Sequence, residues 1–267
     1  MIALLSMAFA AELRDLQMVA VALWPTGVQY SLELEWREPI FDNPHMLLKN
    51  SNVGLAVHTD LTPSFWRVGP VLKLEPVAFW DMSIRVYGTW FYGTFSSIIP
   101  IEDPFETEAT AEWKKEHREL RVGGVGLRVE GNTRFKIKAG PVVAVAELEA
   151  RYMEVRPWHG DVQYFWEPTE MLDVKLHGWT FHRNLLAAAI LQEGPGDKKL
   201  WIGGILNWAT SPATDDENLR AGPILWWKPN SLRAVPNILL ASQGWWISSF
   251  VDPLPPYTWM ALRWGNI

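Results

Sequence analysis

The chain has 267 residues, long enough for one large all-β or α/β unit, and its hydrophobic share of 48% excludes disorder. It has no cysteine, which excludes a disulfide framework, a thiolate metal site and a thiol nucleophile. Charged residues are 20% and the net charge is -6, a balance that argues against a nucleic-acid partner. Tryptophan is out of proportion, with 17 against 11 phenylalanines and 6 tyrosines. A soluble core seldom needs so many of these amphipathic rings, whereas a membrane–water interface uses them.

Residues 1–11 read MIALLSMAFAA, an apolar run ending in Ala8-Phe9-Ala10, with charge beginning at Glu12. This pattern predicts a signal peptide cleaved after Ala10 or Ala11, leaving 12–267 as the mature domain, although no Lys or Arg precedes the run. The run is too short to cross a bilayer as a helix. No later window offers about 18 consecutive apolar residues without a charge, so no transmembrane helix is expected.

The rest of the chain has period two. Val28, Tyr30, Leu32, Leu34 and Trp36 alternate with Gln29, Ser31, Glu33, Glu35 and Arg37. The same alternation runs through Trp66 to Glu75, through Trp80 to Trp90, and through Arg134 to Ala139. It places strands at 16–24, 27–37, 52–61, 64–75, 79–92, 118–130, 133–152, 178–192, 199–209, 218–229, 237–249 and 257–265. Phase flips at Gly123-Gly124, and between Ala139 and Leu148, read as bulges. Tight turns are expected near Pro76-Val77 and Gly131-Asn132. The stretches 93–117 and 153–177 read as long loops on the end away from the termini. The first is acidic, with helix-forming composition over 109–119; the second holds a short extended piece at 161–170. The connection 38–49 falls on the terminus end.

These strands are long for a globular sheet and suit tilted crossings of a bilayer. Aromatics gather near their ends at Trp24, Trp36, Trp90-Phe91-Tyr92, Trp226-Trp227, Trp245-Trp246, Tyr257, Trp259 and Trp264, like the girdles of a membrane barrel. Parity alone does not separate that barrel from a soluble sandwich; strand length, tryptophan placement and the export signal favour the barrel. Closure requires an even count. The expected fold is all-β, a transmembrane antiparallel barrel of about 12 strands, within a range of 10–14. A basic-x-Gly-Pro-aliphatic repeat occurs at Arg67-Val68-Gly69-Pro70-Val71, Lys138-Ala139-Gly140-Pro141-Val142 and Arg220-Ala221-Gly222-Pro223-Ile224. Proline cannot donate to a ladder, so each step predicts a bend or bulge, with an incidental base beside it.

With this leader, these alternating strands and phrases such as Leu61-Thr62-Pro63-Ser64-Phe65-Trp66-Arg67-Val68-Gly69-Pro70, the chain resembles bacterial outer-membrane β-barrel proteins of uncharacterised function. The resemblance covers most of 12–267. It implies location in a Gram-negative outer membrane, contact with outer-membrane lipid and insertion by the barrel-assembly machinery, and no activity; a porin-like transport role for small solutes is expected instead from the charged inner face. Many such barrels end in an aromatic residue; this chain ends Arg263-Trp264-Gly265-Asn266-Ile267.

If the apolar face meets lipid, the polar face lines a lumen. The candidate solute-contacting residues are Arg67, Arg85, Arg121, Arg128, Arg134, Lys136, Lys138, Glu147 and Glu149. Their mixed signs predict an internal salt-bridge network more than a positive track. Strands within 199–249 are apolar on both faces, so that side of the lumen should be less polar. The spacing of the six histidines signals no metal site, and no cofactor motif occurs. Thr180, His182 and Asn184 share a face, similar to the triad of twelve-stranded outer-membrane phospholipases. Those enzymes carry Ser two residues after the His, where this chain has Asn184, so no catalytic residue is assigned. The leading expectation is a narrow channel or binding pore. A barrel enzyme acting on envelope lipid and a non-catalytic structural or adhesive barrel are the alternatives.

Overall fold

A computed structural model describes residues 12–24, 26–41, 45, 47–48, 51–95, 98–103, 113, 116–160, 162–167, 172–194, 198–229, 235–248 and 256–265. The leader expected at 1–11 lies outside them. The strands in chain order are β1 (Glu12–Trp24), β2 (Thr26–Pro39), β3 (Asn52–Leu61), β4 (Phe65–Val77), β5 (Trp80–Tyr92), β6 (Ile99–Ile101), β7 (Gly123–Ala139), β8 (Val142–Pro157), β9 (Tyr164–Glu167), β10 (Leu172–Lys175), β11 (His177–Gly194), β12 (Lys198–Ser211), β13 (Asp216–Lys228), β14 (Asn237–Ser248) and β15 (Tyr257–Gly265).

Twelve of these close a ring in the order β1-β2-β3-β4-β5-β7-β8-β11-β12-β13-β14-β15, and β15 returns to β1 from Leu16↔Gly265 to Trp24↔Thr258. Every neighbouring pair is antiparallel. Closure leaves no sheet edge, which a wall facing lipid requires. The expected twelve-stranded barrel is the observed one. The start of β1, the end of β15, the end of β2 and the β7–β8 turn share one end, the terminus end. The segments 93–122 and 158–176 leave from the opposite, loop end.

The alternation decides which way each face looks. On β2, Ser31, Glu33 and Glu35 are buried in the lumen while Leu34 and Trp36 are about half exposed on the outer wall. Outward Leu55, Val57, Leu72, Ile84, Leu148 and Leu185 follow the same rule on other strands, against inward Asp60, Glu130, Glu149 and His182. Charge inside and hydrocarbon outside is the polarity of a barrel whose wall faces lipid.

One hairpin sits elsewhere than expected. Gly131 and Asn132 are not a turn; they lie inside β7, opposite Ala150 and Glu149 of β8 and opposite Ile84 and Ser83 of β5. The turn is at Gly140-Pro141, with Gly140 at φ 58°. Ala139 and Val142 are partners across it, so both face outward and the alternation restarts with opposite parity. The phase flip read as a bulge is this reversal, and the flip at Gly123-Gly124 marks the start of β7. A register shift does occur between Leu74 and Val77, beside the expected Pro76-Val77 turn, which is made by Ala78 and Phe79. Most of the helix expected at 109–119 lies outside the described residues. The described part shows His117 N–H donating to Trp113 O at 2.9 Å, followed by a 3-10 turn, Arg118–Leu120.

The Gly-Pro repeat resolves into two devices. The Gly140-Pro141 copy is the hairpin turn. In the other two copies the ladder to one neighbour is interrupted while its register is kept: Val68↔Gly88 resumes at Val71↔Arg85, and Ala221↔Gly244 resumes at Ile224↔Ala241. A Cβ on Gly69 would lie 1.8 Å from Val86 O, and one on Gly222 would lie 2.0 Å from Ser242 O. Only a residue without Cβ lets the neighbouring backbone approach so closely. Gly69→Val and Gly222→Val should each cost about 3 kcal/mol or more through overpacking. Gly131→Ala, whose Cβ meets nothing within 4 Å, should be near neutral. Urea midpoints in lipid vesicles, followed by tryptophan fluorescence, measure the difference.

At the loop end, β6, β9 and β10 form a second, three-stranded sheet in the order β10-β9-β6. The extended piece expected at 161–170 is its central strand. Phe165, Leu172, Val174 and Leu176 of this segment pack with Ile98 and with inward Phe65, Phe91, Met153, Val155 and Ala209 of the wall. This is the apolar core of the molecule, and it makes the sheet a lid over the loop end. The lid is pinned by Asp173 N–H donating to Asp216 Oδ2 at 2.7 Å and by the Thr214 hydroxyl donating to Asp173 O at 2.6 Å.

Candidate functional site: the charged lumen

The terminus end of the lumen is a cavity of about 790 Å³. Its described charged lining holds the acids Glu12, Asp15, Glu33, Glu35, Glu75, Asp81 and Glu147, and the bases Arg14, Arg37, Lys73, Arg85, Arg134, Lys136 and Arg263. The register explains the mixture. The inward parity brings acids and bases of the same strand, the next strand and the next but one within reach of each other. Arg134 Nε lies 3.1 Å from Asp81, and Lys136 Nζ lies 2.7 Å from Asp81 and 3.1 Å from Glu75. Arg37 lies 3.0 Å from Glu35, and Lys73 pairs with both Glu33 and Glu35. Arg263, entering from the less polar side, makes no hydrogen bond or ion pair among the described residues, and its Nε is buried.

Above this vestibule lies a belt of more deeply buried charge. Asp60, 2% exposed, accepts from Ser31 Oγ at 2.5 Å, Gln29 Nε2 at 2.7 Å and Arg67 Nε at 2.6 Å. His58 spans the two layers, its Nε2 3.1 Å from Asp60 and its Nδ1 3.4 Å from Glu33. Glu130, 3% exposed, pairs with Arg128, with Arg85 at 3.4 Å and with Arg151 at 3.8 Å; Arg151 also pairs with Glu149. The lid rests directly on this belt. Lid residues Glu167, Leu172 and Val174 meet Arg128, Arg151, Met153 and Thr180 around a void of only about 10 Å³. Such a void barely admits one water.

On the β11–β14 side the polar face carries a chain of amides. Asn184 Nδ2 donates to Glu147 at 3.2 Å, Asn207 Nδ2 to Asn184 Oδ1 at 2.6 Å, and Gln243 Nε2 to Asn207 Oδ1 at 2.5 Å. Nearer the terminus end, Trp201 and Trp226 are direct cross-strand partners on the inward parity, with ring centroids 4.4 Å apart. Of the Trp226-Trp227 pair read as girdle, only Trp227 is on the outer wall.

The sequence-derived lumen residues therefore separate into groups. Arg85, Arg134, Lys136 and Glu147 line the vestibule. Arg67, Arg128 and Glu149 belong to the belt. Arg121 stands before β7, next to the Ile98↔Val122 bridge, and not in a barrel strand. Lys138 is at the exposed end of β7, away from the vestibule lining. The three bases of the Gly-Pro repeat do not converge: Lys138 is at the terminus end, Arg67 holds Asp60, and Arg220 stacks on Tyr257 with its guanidinium 4.6 Å from the ring centroid. Thr180 Oγ1 is 3.0 Å from His182 Nε2, but Asn184 is committed to Glu147 and Asn207, so the three do not form a triad. Among the described residues no group of three or more His, Cys, Asp or Glu is arranged to hold a metal ion. No described helix is long and apolar enough to cross a membrane, which says nothing about strands.

No protein-family model and no curated protein matches the chain. Solved structures similar to it are bacterial outer-membrane β-barrels. CdiB from Acinetobacter baumannii is 9% identical with a TM-score of 0.39, over 96% of this chain and 60% of that one. The chain thus spans less than two thirds of CdiB. The translocator domain of the autotransporter NalP from Neisseria meningitidis is 8% identical with a TM-score of 0.35, over 96% of this chain and 86% of that one. A triple mutant of Rhodopseudomonas blastica porin is 6% identical with a TM-score of 0.31, over 96% of this chain and all of that one.

Proposed function

We propose that the protein is an outer-membrane barrel acting as a narrow binding pore, which takes small polar solutes into the vestibule and passes them only when the lid yields. Residues 1–11 are the leader that export to that membrane needs, and the barrel-assembly machinery inserts the mature chain. The observation that carries this reading is the vestibule itself: about 790 Å³, charged on most of its wall, open at the terminus end and closed above by belt and lid. Arg85, Arg134, Lys136 and Glu147 are the solute contacts expected from sequence, and Arg263 joins them. Because the other vestibule bases have acidic partners, Arg263 is the group that favours a solute bearing a carboxylate or phosphate. Arg67, Arg128 and Glu149 set the width of the passage.

Planar-bilayer recording of the refolded protein tests this. Expected are brief openings of small conductance with a weak preference for chloride over potassium. Arg263→Glu should reverse the sign of the reversal potential under a salt gradient. No opening at any voltage rejects the reading.

A further inference from the structure

The outer wall carries a feature that the pore does not use. Two neighbouring rows of outward residues run obliquely across β4, β5, β7, β8 and β11. One passes through Phe181, Ala150, Gly131 and Ile84, each the ladder partner of the next. Its two middle members are small, and a Cβ on Gly131 would meet nothing within 4 Å. The adjacent row begins at Arg183 and continues through Leu148, Thr133 and Met82. Between them lies an apolar groove of about 820 Å³ with Arg183 in its lining.

An arginine on a lipid-facing wall is costly unless something satisfies it. The Arg183 guanidinium sits 4.2 Å over the Trp208 ring but makes no hydrogen bond or ion pair among the described residues, and its Nη1 is buried without a partner. Trp208 lies toward the loop end of β12, and its Nε1–H donates to Glu217 at 3.2 Å, beside the first residue of β13. The cation is therefore held toward the loop-end rim, where headgroups lie, with a trough of small and apolar residues running away from it toward the bilayer interior.

We propose that this groove binds one phosphate-bearing lipid, with an acyl chain laid over Gly131 and a phosphate oxygen accepting from the accessible edge of the Arg183 guanidinium. The proposal rests on the outer wall facing lipid. The aromatic ring under the cation and the missing hydrogen-bond acceptor both fit a phosphate, which takes planar guanidinium donors well. A neutral lipid would fill the trough and leave the arginine unsatisfied.

Native mass spectrometry of the refolded, detergent-solubilised barrel tests it, with dimyristoyl phosphatidylglycerol as probe and the matching diacylglycerol as control. One phosphatidylglycerol should be retained and diacylglycerol should not. Arg183→Leu removes the cation, and Gly131→Leu fills the trough from a position with open space. Each should weaken retention about tenfold, the worth of one charge-assisted hydrogen bond or one displaced chain segment. Heat-modifiable gel mobility confirms that both variants fold. Equal retention of diacylglycerol, or unchanged retention in both folded variants, overturns the proposal. If the protein is soluble without detergent, the membrane reading itself falls; if it needs detergent but retains no phosphatidylglycerol, only the lipid site falls.

Discussion

Glu130→Gln is expected to destabilise the barrel by about 3–5 kcal/mol, the range for removing one partner of a buried ion pair. Glu130 is 3% exposed and is the shared acid of Arg128, Arg85 and Arg151. Glutamine keeps the shape and loses the charge, so Arg128, 6% exposed, stays in the belt beside two other cations without its neutralising partner. Arg134→Gln offers the contrast. Its side chain is 43% exposed where it meets Asp81, and a hydrated pair of that kind is worth at most about 1 kcal/mol. Urea unfolding in lipid vesicles reads both. A Glu130→Gln variant within 1 kcal/mol of the parent would mean that the belt charges are solvated and that the lumen is wider than its ion pairs suggest. The double substitution Arg128→Met with Glu130→Leu should recover most of the loss, because removing a buried pair together costs far less than orphaning one member.

The charged lumen, vestibule and belt together, was legible in the sequence because strand parity is local information. Glu33, Glu35, Arg85, Arg128, Glu130 and Glu149 each alternate with apolar neighbours, so their common face follows from period two, and closure makes that face the lumen. What sets which charges meet is the register between strands, and that is long-range. The hairpin at Gly140-Pro141 shows the difficulty. Gly131-Asn132 has the better turn composition, yet the alternation from Arg128 to Lys138 runs through it unbroken, and parity reverses only after Ala139. The lid was only partly visible, as a short extended piece at 161–170. β6 and β10 are too short to show a period, and their burial comes from packing on a barrel mouth that no local window contains. Inward Trp226, the ladder partner of Trp201, was misread for a related reason: tryptophans near strand ends look like girdle until parity is carried across β12 and β13. The amide chain of Asn184, Asn207 and Gln243 had a usable signal, since these are polar residues on the lumen parity of otherwise apolar strands.

The second large effect is expected at the lid. Phe165 is 1% exposed, in the apolar cluster that joins β9 to the inner wall. Phe165→Asp places a carboxylate in that apolar cluster, and burying a charge in apolar surroundings costs several kcal/mol. The twelve barrel strands keep their own closed ladder, so the cost falls on docking of the lid and not on closure of the ring. A loss of about 3 kcal/mol in lid docking corresponds to about a hundredfold rise in the open-to-closed ratio. In bilayer recordings the brief openings of the parent should become long-lived, and protease should gain access to 158–176. The unit conductance should stay small, because the ion pairs of Glu130 and Asp60 remain in the passage below. That separates the two barriers. Protease access without longer openings would assign the closed state to the belt, and Glu130 would then be the residue at which the pore is gated.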